Sequence, residues 1–150
     1  MSTIGLIAPR NTYIPREWVY RLTNDLRRLS HDMPTQFYVG EEGRFNRTMQ
    51  RILEELATEN NRVQFAVVLS NISISTTSLK RLPPHADMLI PAGIANVPPD
   101  LRVSKRDEWI FRRSGLVVTC VKRNLGSSDL DMEYTNSSGR IVMNLYGMYS

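Results

Sequence analysis

The sequence predicts an α/β fold: a single-domain, Rossmann-like three-layer sandwich around a five-stranded, mainly parallel sheet. In the first half, short apolar runs alternate with amphipathic stretches of helical spacing. In the last third, a helix, a strand, a polar loop, a second helix and a last strand follow one another. The 150 residues suit one domain, 1–150, that is large enough to bury a core.

The first half contains three predicted strands and two predicted helices. Apolar runs predict strands at Ile4–Ala8, Gln36–Val39 and Val63–Leu69. Between them, apolar residues recur every three or four positions in Pro15–Leu29 and Arg44–Glu59, which predicts two amphipathic helices. This alternation is typical of a parallel sheet covered by helices on both faces.

The last third predicts a right-handed βαβ unit. Arg102–Arg113 has helical spacing, and the β-branched run Leu116–Val121 predicts a buried strand. A helix over Asp129–Asn136 leads to a last strand at Ile141–Leu145. The connection Ser70–Pro99 is rich in Ser, Thr and Pro, so we predict a long loop with a short helix around residues 74–82.

Composition narrows the classes of partner. The net charge of +4 is modest and scattered along the chain, which does not favour nucleic acid as a partner. The single Cys120 lies in an apolar run, so we expect an inert, buried thiol. No signal peptide or transmembrane run is visible, so we expect no membrane association and a cytoplasmic location. His31 and His85 lack metal-ligand partners, so we predict neither a metal nor a cofactor.

The turn from Gly40 to Gly43 joins a predicted strand to a predicted helix. Its glycines allow a backbone to approach a phosphate, and the helix start at Arg44 offers free N–H donors. A tight, solvated turn explains the same residues, and Glu41 and Glu42 would oppose an anion if they pointed inward. Ligands bind at the carboxyl edge of open α/β sheets, so we take Gly40, Gly43 and Arg44 as candidate ligand-binding residues.

A second candidate loop follows the strand Leu116–Val121. Hydroxyl groups and backbone N–H groups at a helix N-terminus suit a phosphate or a ribose, although an N-cap explains the same residues. Glu133 lies about one turn inside the helix, where we expect it to accept hydrogen bonds from a ribose, to act as an acid/base, or to remain an exposed carboxylate. The candidate ligand-binding residues of this loop are Asn124, Gly126, Ser127 and Ser128.

The helix Arg102–Arg113 is strongly basic. Most of its charges can form surface pairs that contribute little to stability. One arginine that turns to the sheet edge would clamp a phosphate in a bidentate way. We expect Arg106 to do so, and Arg10 to reach the same edge from the end of the first strand.

Several stretches resemble the SLOG superfamily, most closely its small YpsA-like branch of Rossmann-like proteins. Members of that branch have a Gly-Phe-Asp-like helix start, an Arg-Asn-x-Trp-Met helix, a Gly-Gly-Ala loop and a final Gly-Lys-x-Ile-Asn-Leu strand. The resemblance covers most of the chain from Gln36 onward. The matching segments here are Gly43-Arg44-Phe45-Asn46, Arg106-Asp107-Glu108-Trp109-Ile110, Gly126-Ser127-Ser128 and Gly139 to Leu145.

The resemblance implies binding of a nucleotide or nucleotide-derived ligand by a sensor or sequestering protein. It also implies a homodimer or larger assembly. The related Lonely Guy branch hydrolyses the N-glycosidic bond of nucleoside monophosphates, and Glu133 and Arg106 match its catalytic positions. The proline and the second glycine of that branch's phosphate loop are absent here. We therefore expect ligand binding, with a nucleoside 5′-monophosphate hydrolase as the alternative.

Large apolar side chains also favour assembly. Five of them exceed what a small core obviously needs, and a fully covered monomer is the alternative. These residues are Trp109, Phe111, Tyr146, Met148 and Tyr149.

Overall fold

The computed structural model describes residues 1–71, 81–122 and 140–150, and it shows a three-layer α/β sandwich. Six strands form one sheet in the order β4-β3-β2-β1-β5-β6, and each neighbouring pair is parallel. The predicted Rossmann-like fold class is confirmed. The strands are β1 (Ser2–Leu6), β2 (Thr35–Gly40), β3 (Val63–Val68), β4 (Ala86–Leu89), β5 (Leu116–Thr119) and β6 (Ile141–Asn144).

Helices cover both faces of the sheet. Helices α1 (Arg16–Leu29) and α2 (Arg44–Glu59) pack on one face, together with the short C-terminal helix α4 (Leu145–Tyr149). Helix α3 (Arg102–Arg113) packs on the other face. Short 3-10 turns at Ile94–Asn96 and Pro99–Leu101 precede α3. The predicted bounds of α2 and α3 agree with the structure, and α1 begins one residue after Pro15.

The larger core lies between the sheet and helices α1 and α2. Its centre is aromatic, because Phe37 of β2, Phe45 of α2 and Phe65 of β3 are fully buried there. The core under α3 is smaller and contains Ile110 and Phe111. The alternation of side chains along each strand therefore separates two faces that are both apolar, as expected of a parallel sheet.

The strand order reverses beside β1. This strand pairs with β2 on one side and with β5 on the other, so first-half strands lie on one side of β1 and later strands on the other. The predicted arrangement of the two halves is confirmed. The switch point, where ligands bind in open α/β sheets, therefore lies at the carboxyl ends of β1 and β5.

The predicted strand count was wrong, because the sheet has a sixth strand within the Ser70–Pro99 connection. Strand β4 (Ala86–Leu89) pairs with β3 at the edge of the sheet. Its residues are short of β-branched side chains and mostly face solvent, so it lacks the apolar pattern of a buried strand. Of the predicted helix at 74–82, residues 74–80 lie outside the described residues, and Arg81 and Leu82 are not helical. The predicted helix Asp129–Asn136 also lies outside them.

Most of the large side chains that favoured assembly pack within the chain. Phe111 and Tyr149 are buried, and the ring of Trp109 packs edge-on against Tyr38 at a centroid distance of 5.4 Å. Tyr146 packs in the same way against Trp18 at 5.3 Å, which leaves Met148 as the exposed member of the set. The homodimer therefore stays a prediction, with less support from these side chains.

Within the described ranges, no helix combines the length and the apolar character that crossing a membrane requires.

Candidate functional site

Three neighbouring strands bring one residue each to the same level of the carboxyl edge. Leu6 of β1 pairs with Val39 of β2 and with Val118 of β5. The next residues along these strands, Ile7, Gly40 and Thr119, therefore lie side by side. All three face α3. Ile7 belongs to the core on that side of the sheet. Gly40 follows Tyr38 by two residues and Thr119 follows Val117 by two, and because Tyr38 and Val117 contact the same core, Gly40 and Thr119 lie on the same face.

The guanidinium of Arg106 lies directly against Gly40. A Cβ added to Gly40 would stand 2.8 Å from Arg106 Cζ and 3.0 Å from its Nη1, and 2.5 Å from Asn46 Nδ2. The missing side chain at the end of β2 is thus what lets Arg106 of α3 reach the edge of the sheet. The structure brings together two of the predicted site residues, Arg106 and Gly40.

Arg106 is buried and incompletely paired. Only 4% of its side chain is exposed, and its Nε and Nη2 lie 3.1 and 3.0 Å from Asp107 Oδ1. Its Nη1 is buried without a hydrogen-bond partner among the described residues. Burial raises the pKa of Asp107, and the neighbouring Arg106 cation opposes that rise. A buried charged donor without an acceptor is costly, so this nitrogen is suited to a ligand oxygen.

A second unpartnered polar atom lies at the same level. Thr119 is 5% exposed, and its Oγ1 is buried without a hydrogen-bond partner in the described part of the chain. Because β5 and β2 are two strand spacings apart, Thr119 and Gly40 are separated by roughly 10 Å. Sequence reasoning missed Thr119, because a threonine at the end of an apolar strand has no distinguishing pattern.

The β2–α2 turn is closed by the loop that follows β1. The N–H of Phe45, in the first turn of α2, donates to the carbonyl oxygen of Arg10 at 3.2 Å. Gly43 has φ of +98°, and a Cβ there would lie 2.6 Å from the same oxygen. The side chain of Arg10 is half-exposed and pairs with Glu42 at 3.4 Å. Arg10 therefore lies at the edge, as predicted, but its charge is turned to Glu42.

Glu41, one of the two glutamates that would oppose an anion, is held by hydrogen bonds. The N–H and the hydroxyl of Ser70, at the end of β3, donate to Glu41 Oε1 at 2.7 and 2.5 Å. Gln50 Nε2 donates to the carbonyl oxygens of Gly40 and Glu41 at 2.8 and 3.0 Å. Asn46 Nδ2 donates to the Glu42 carbonyl at 2.8 Å. These polar residues fix the turn, and sequence reasoning missed their roles.

Arg44 does not join Arg106. Its guanidinium lies over the ring of Tyr13, 5.7 Å from the ring centroid. It lines a pocket between α1 and α2, on the sheet face opposite α3. Arg44 was predicted to lie with the other site residues, but its side chain points away from them, to the opposite face of the sheet.

Asn144 fixes the point where β5 leaves the sheet. Its Nδ2 donates to the Val121 carbonyl at 2.9 Å, and its Oδ1 accepts from the Val121 N–H at 3.2 Å. The sequence predicts Asn144 only as a residue of the last strand, Ile141–Leu145. The predicted loop and acid/base residues beyond Val121 lie outside the described residues; they are Asn124, Gly126, Ser127, Ser128 and Glu133.

Cys120 is an inert thiol at neutral pH. It is 2% exposed, and burial raises its pKa to about 11. We expect iodoacetamide to leave native Cys120 unmodified at pH 8 and to label it rapidly in denaturant, as measured by intact mass. Because the folded-state pKa is raised, this group should lower stability only as the pH rises from the pKa of the unfolded thiol toward 11. Rapid labelling of the native chain at pH 8 would contradict this assignment.

Within residues 1–71, 81–122 and 140–150, no three His, Cys, Asp or Glu side chains form a group that could hold a metal ion. His31 contacts Asp32, and His85 contacts Glu54, as isolated pairs.

A scan of the chain against protein-family models finds no match, and a search of curated proteins finds no significant match. The SLOG resemblance therefore stays a prediction, and the fold rests on the structure alone.

Proposed function

We propose that this protein binds a nucleotide or nucleotide-derived small ligand at the carboxyl edge of its sheet, beside the switch point. The observation that carries the proposal is the buried, unpartnered Nη1 of Arg106 at Gly40. An anionic oxygen from a ligand would supply the missing acceptor.

The position favours a nucleotide over a simple anion. Nucleotides bind in open α/β sheets where the strand order reverses, and Arg106 and Thr119 flank that point. With Arg106 contacting a phosphate oxygen, the Thr119 hydroxyl would meet a more distant polar group, such as a ribose hydroxyl. Since Asp107 already neutralises part of the Arg106 charge, the ligand contact is directional rather than purely ionic.

The hydrolase alternative depends on Glu133, which lies outside the described residues, so hydrolysis stays a prediction. We also propose that the protein acts as a sensor or sequestering protein, forms a homodimer and is located in the cytoplasm. The ligand-binding proposal needs none of them.

The test compares nucleosides with their 5′-phosphates. We expect nucleoside mono- or diphosphates to raise the melting temperature in a thermal-shift screen, because ligand that binds only the folded state stabilises it. The matching nucleosides should shift it much less, since they lack the group that contacts Arg106. Equal shifts from both sets, or no shift from any phosphate at millimolar concentration, would count against the proposal.

A further inference from the structure

The charges of helix α2 are ordered against its dipole. Arginines occupy its N-terminal half at positions 44, 47 and 51, and glutamates occupy its C-terminal half at positions 54, 55 and 59. The first turn contains no acidic residue, and the last turn contains no basic one. Cations near a helix N-terminus and like charges four residues apart both destabilise a helix. Such a local conflict is expected where function compensates for it.

Two of the three glutamates in the acidic half of α2 have partners that explain them. Glu59 accepts two hydrogen bonds from Arg27 of α1, at 2.9 and 3.0 Å. Glu54 accepts from the N–H of His85 at 2.8 Å and contacts its ring Nδ1 at 2.5 Å. These contacts join α2 to α1 and to the segment that precedes β4.

No carboxylate among the described residues forms a salt bridge with the basic half of α2. Arg44 lies over Tyr13, while Arg47 and Arg51 are exposed and have no side-chain partner in the described part of the chain. They line one pocket of about 550 Å³, which Arg81 enters from outside the helix. Arg81 likewise has no partner among the described residues. Three arginines from two segments, each without a partner among the described residues, thus line one pocket.

The two glutamates of the same pocket are already engaged. Glu41 accepts from Ser70, and Glu42 pairs with Arg10. The hydrogen bonds from Ser70 do not cancel the charge of Glu41, but three arginines against two glutamates leave the pocket lining with a net positive charge close to the N-terminus of α2. Arginine suits phosphate because two N–H groups of one guanidinium can donate to two phosphate oxygens at once.

We propose that the pocket lined by Arg47, Arg51 and Arg81 binds a polyphosphate group. The three side chains present more donors than one phosphate requires, which favours a chain of two or more phosphates. This site is distinct from the one at Arg106. Gln50 lies between the two, since it lines this pocket and its amide holds the carbonyl oxygens of Gly40 and Glu41.

Inorganic tripolyphosphate is the probe, titrated by calorimetry into the full chain at constant ionic strength. Arg47→Gln and Arg81→Gln should each weaken binding by about fivefold or more. Arg62→Gln is the matched control, because Arg62 is exposed at the opposite edge of the sheet, just before β3. It should change binding by less than about twofold, as expected of a distant, screened charge.

Each of the following calorimetric results would overturn the proposal: no binding by the parent at millimolar probe, equal weakening by Arg62→Gln, or loss of binding in Arg106→Ala. Retained binding in Arg106→Ala would support a separate site even if nucleotides failed to bind at Arg106. A second readout needs no ligand. Arg47→Glu should raise the melting temperature of the free chain by roughly 1–4 °C, by relieving the charge conflict in α2. It should also abolish stabilisation by tripolyphosphate, and stabilisation equal to the parent's would overturn the proposal.

Discussion

Replacing Gly43 with alanine is expected to lower the free energy of unfolding by about 2–4 kcal/mol, through backbone strain and a steric clash. Gly43 has φ of 98° and ψ of 161°, a region that is essentially restricted to glycine. The added Cβ would also lie 2.6 Å from the Arg10 carbonyl oxygen. That oxygen cannot move freely, because it accepts the hydrogen bond from Phe45. Urea denaturation of both chains, followed by circular dichroism, measures the difference.

Two other glycines separate strain from clash. Gly93 has φ of 81° but open space where a Cβ would lie, so Gly93→Ala should cost about 1 kcal/mol from conformation alone. At Gly115 a Cβ would make ordinary contacts no closer than 3.7 Å, and its φ lies outside the left-handed region. Gly115→Ala should therefore change stability by less than about 1 kcal/mol. If Gly43→Ala cost no more than Gly93→Ala, the contact with Arg10 would not matter for stability.

Replacing Arg106 with alanine is expected to weaken nucleotide binding by about tenfold or more, since a hydrogen bond to a charged group contributes on the order of 1.5–3 kcal/mol. The effect should be large because this guanidinium is buried, and water screens it little. Calorimetric titration with the nucleoside phosphate that gives the largest thermal shift measures the change in Kd.

Arg112→Ala is the control for Arg106→Ala. Arg112 lies on the same helix but is 61% exposed, and its Nη2 pairs with Glu108 at 2.6 Å. Its loss should leave the nucleotide Kd within about twofold of the parent, as is typical of exposed pairs. Circular dichroism of both variants establishes that each is folded before its binding is interpreted. If folded Arg106→Ala bound as tightly as the parent, the site assignment would be wrong.

The sequence was sufficient to predict the fold class because two kinds of periodicity alternate clearly along it. A buried strand such as Val63–Val68 is apolar at every position except Gln64, and helices such as Arg44–Glu59 have one apolar stripe. Strand β4 (Ala86–Leu89) escaped prediction because it is short, lies at an edge and buries little of its surface. Its pairing with β3 comes from backbone hydrogen bonds, which composition does not reveal.

Only part of the candidate site was predictable. In a parallel sheet the carboxyl ends of the strands and the N-terminal parts of the covering helices lie at the same edge. The sequence order of the elements therefore predicts that Arg106 of α3 and Gly40 of β2 lie near the same edge. The direction of each side chain does not follow in this way. Arg10 pairs with Glu42, and Arg44 turns to Tyr13, because local partners within reach decide the rotamer. The position of Thr119 beside Ile7 and Gly40 follows from the register of three strands, which the sequence does not reveal.

The paired hydrogen bonds between Asn144 and Val121 determine which residues hold β5 and β6 in register. They close the chain on either side of residues 123–139, next to the β5–β6 ladder. The ends of that segment are therefore held together by the scaffold, whatever lies between them. Contacts between described residues thus fix where β5 leaves the sheet and how β6 pairs with it, so we expect substitutions within residues 123–139 to leave this register unchanged.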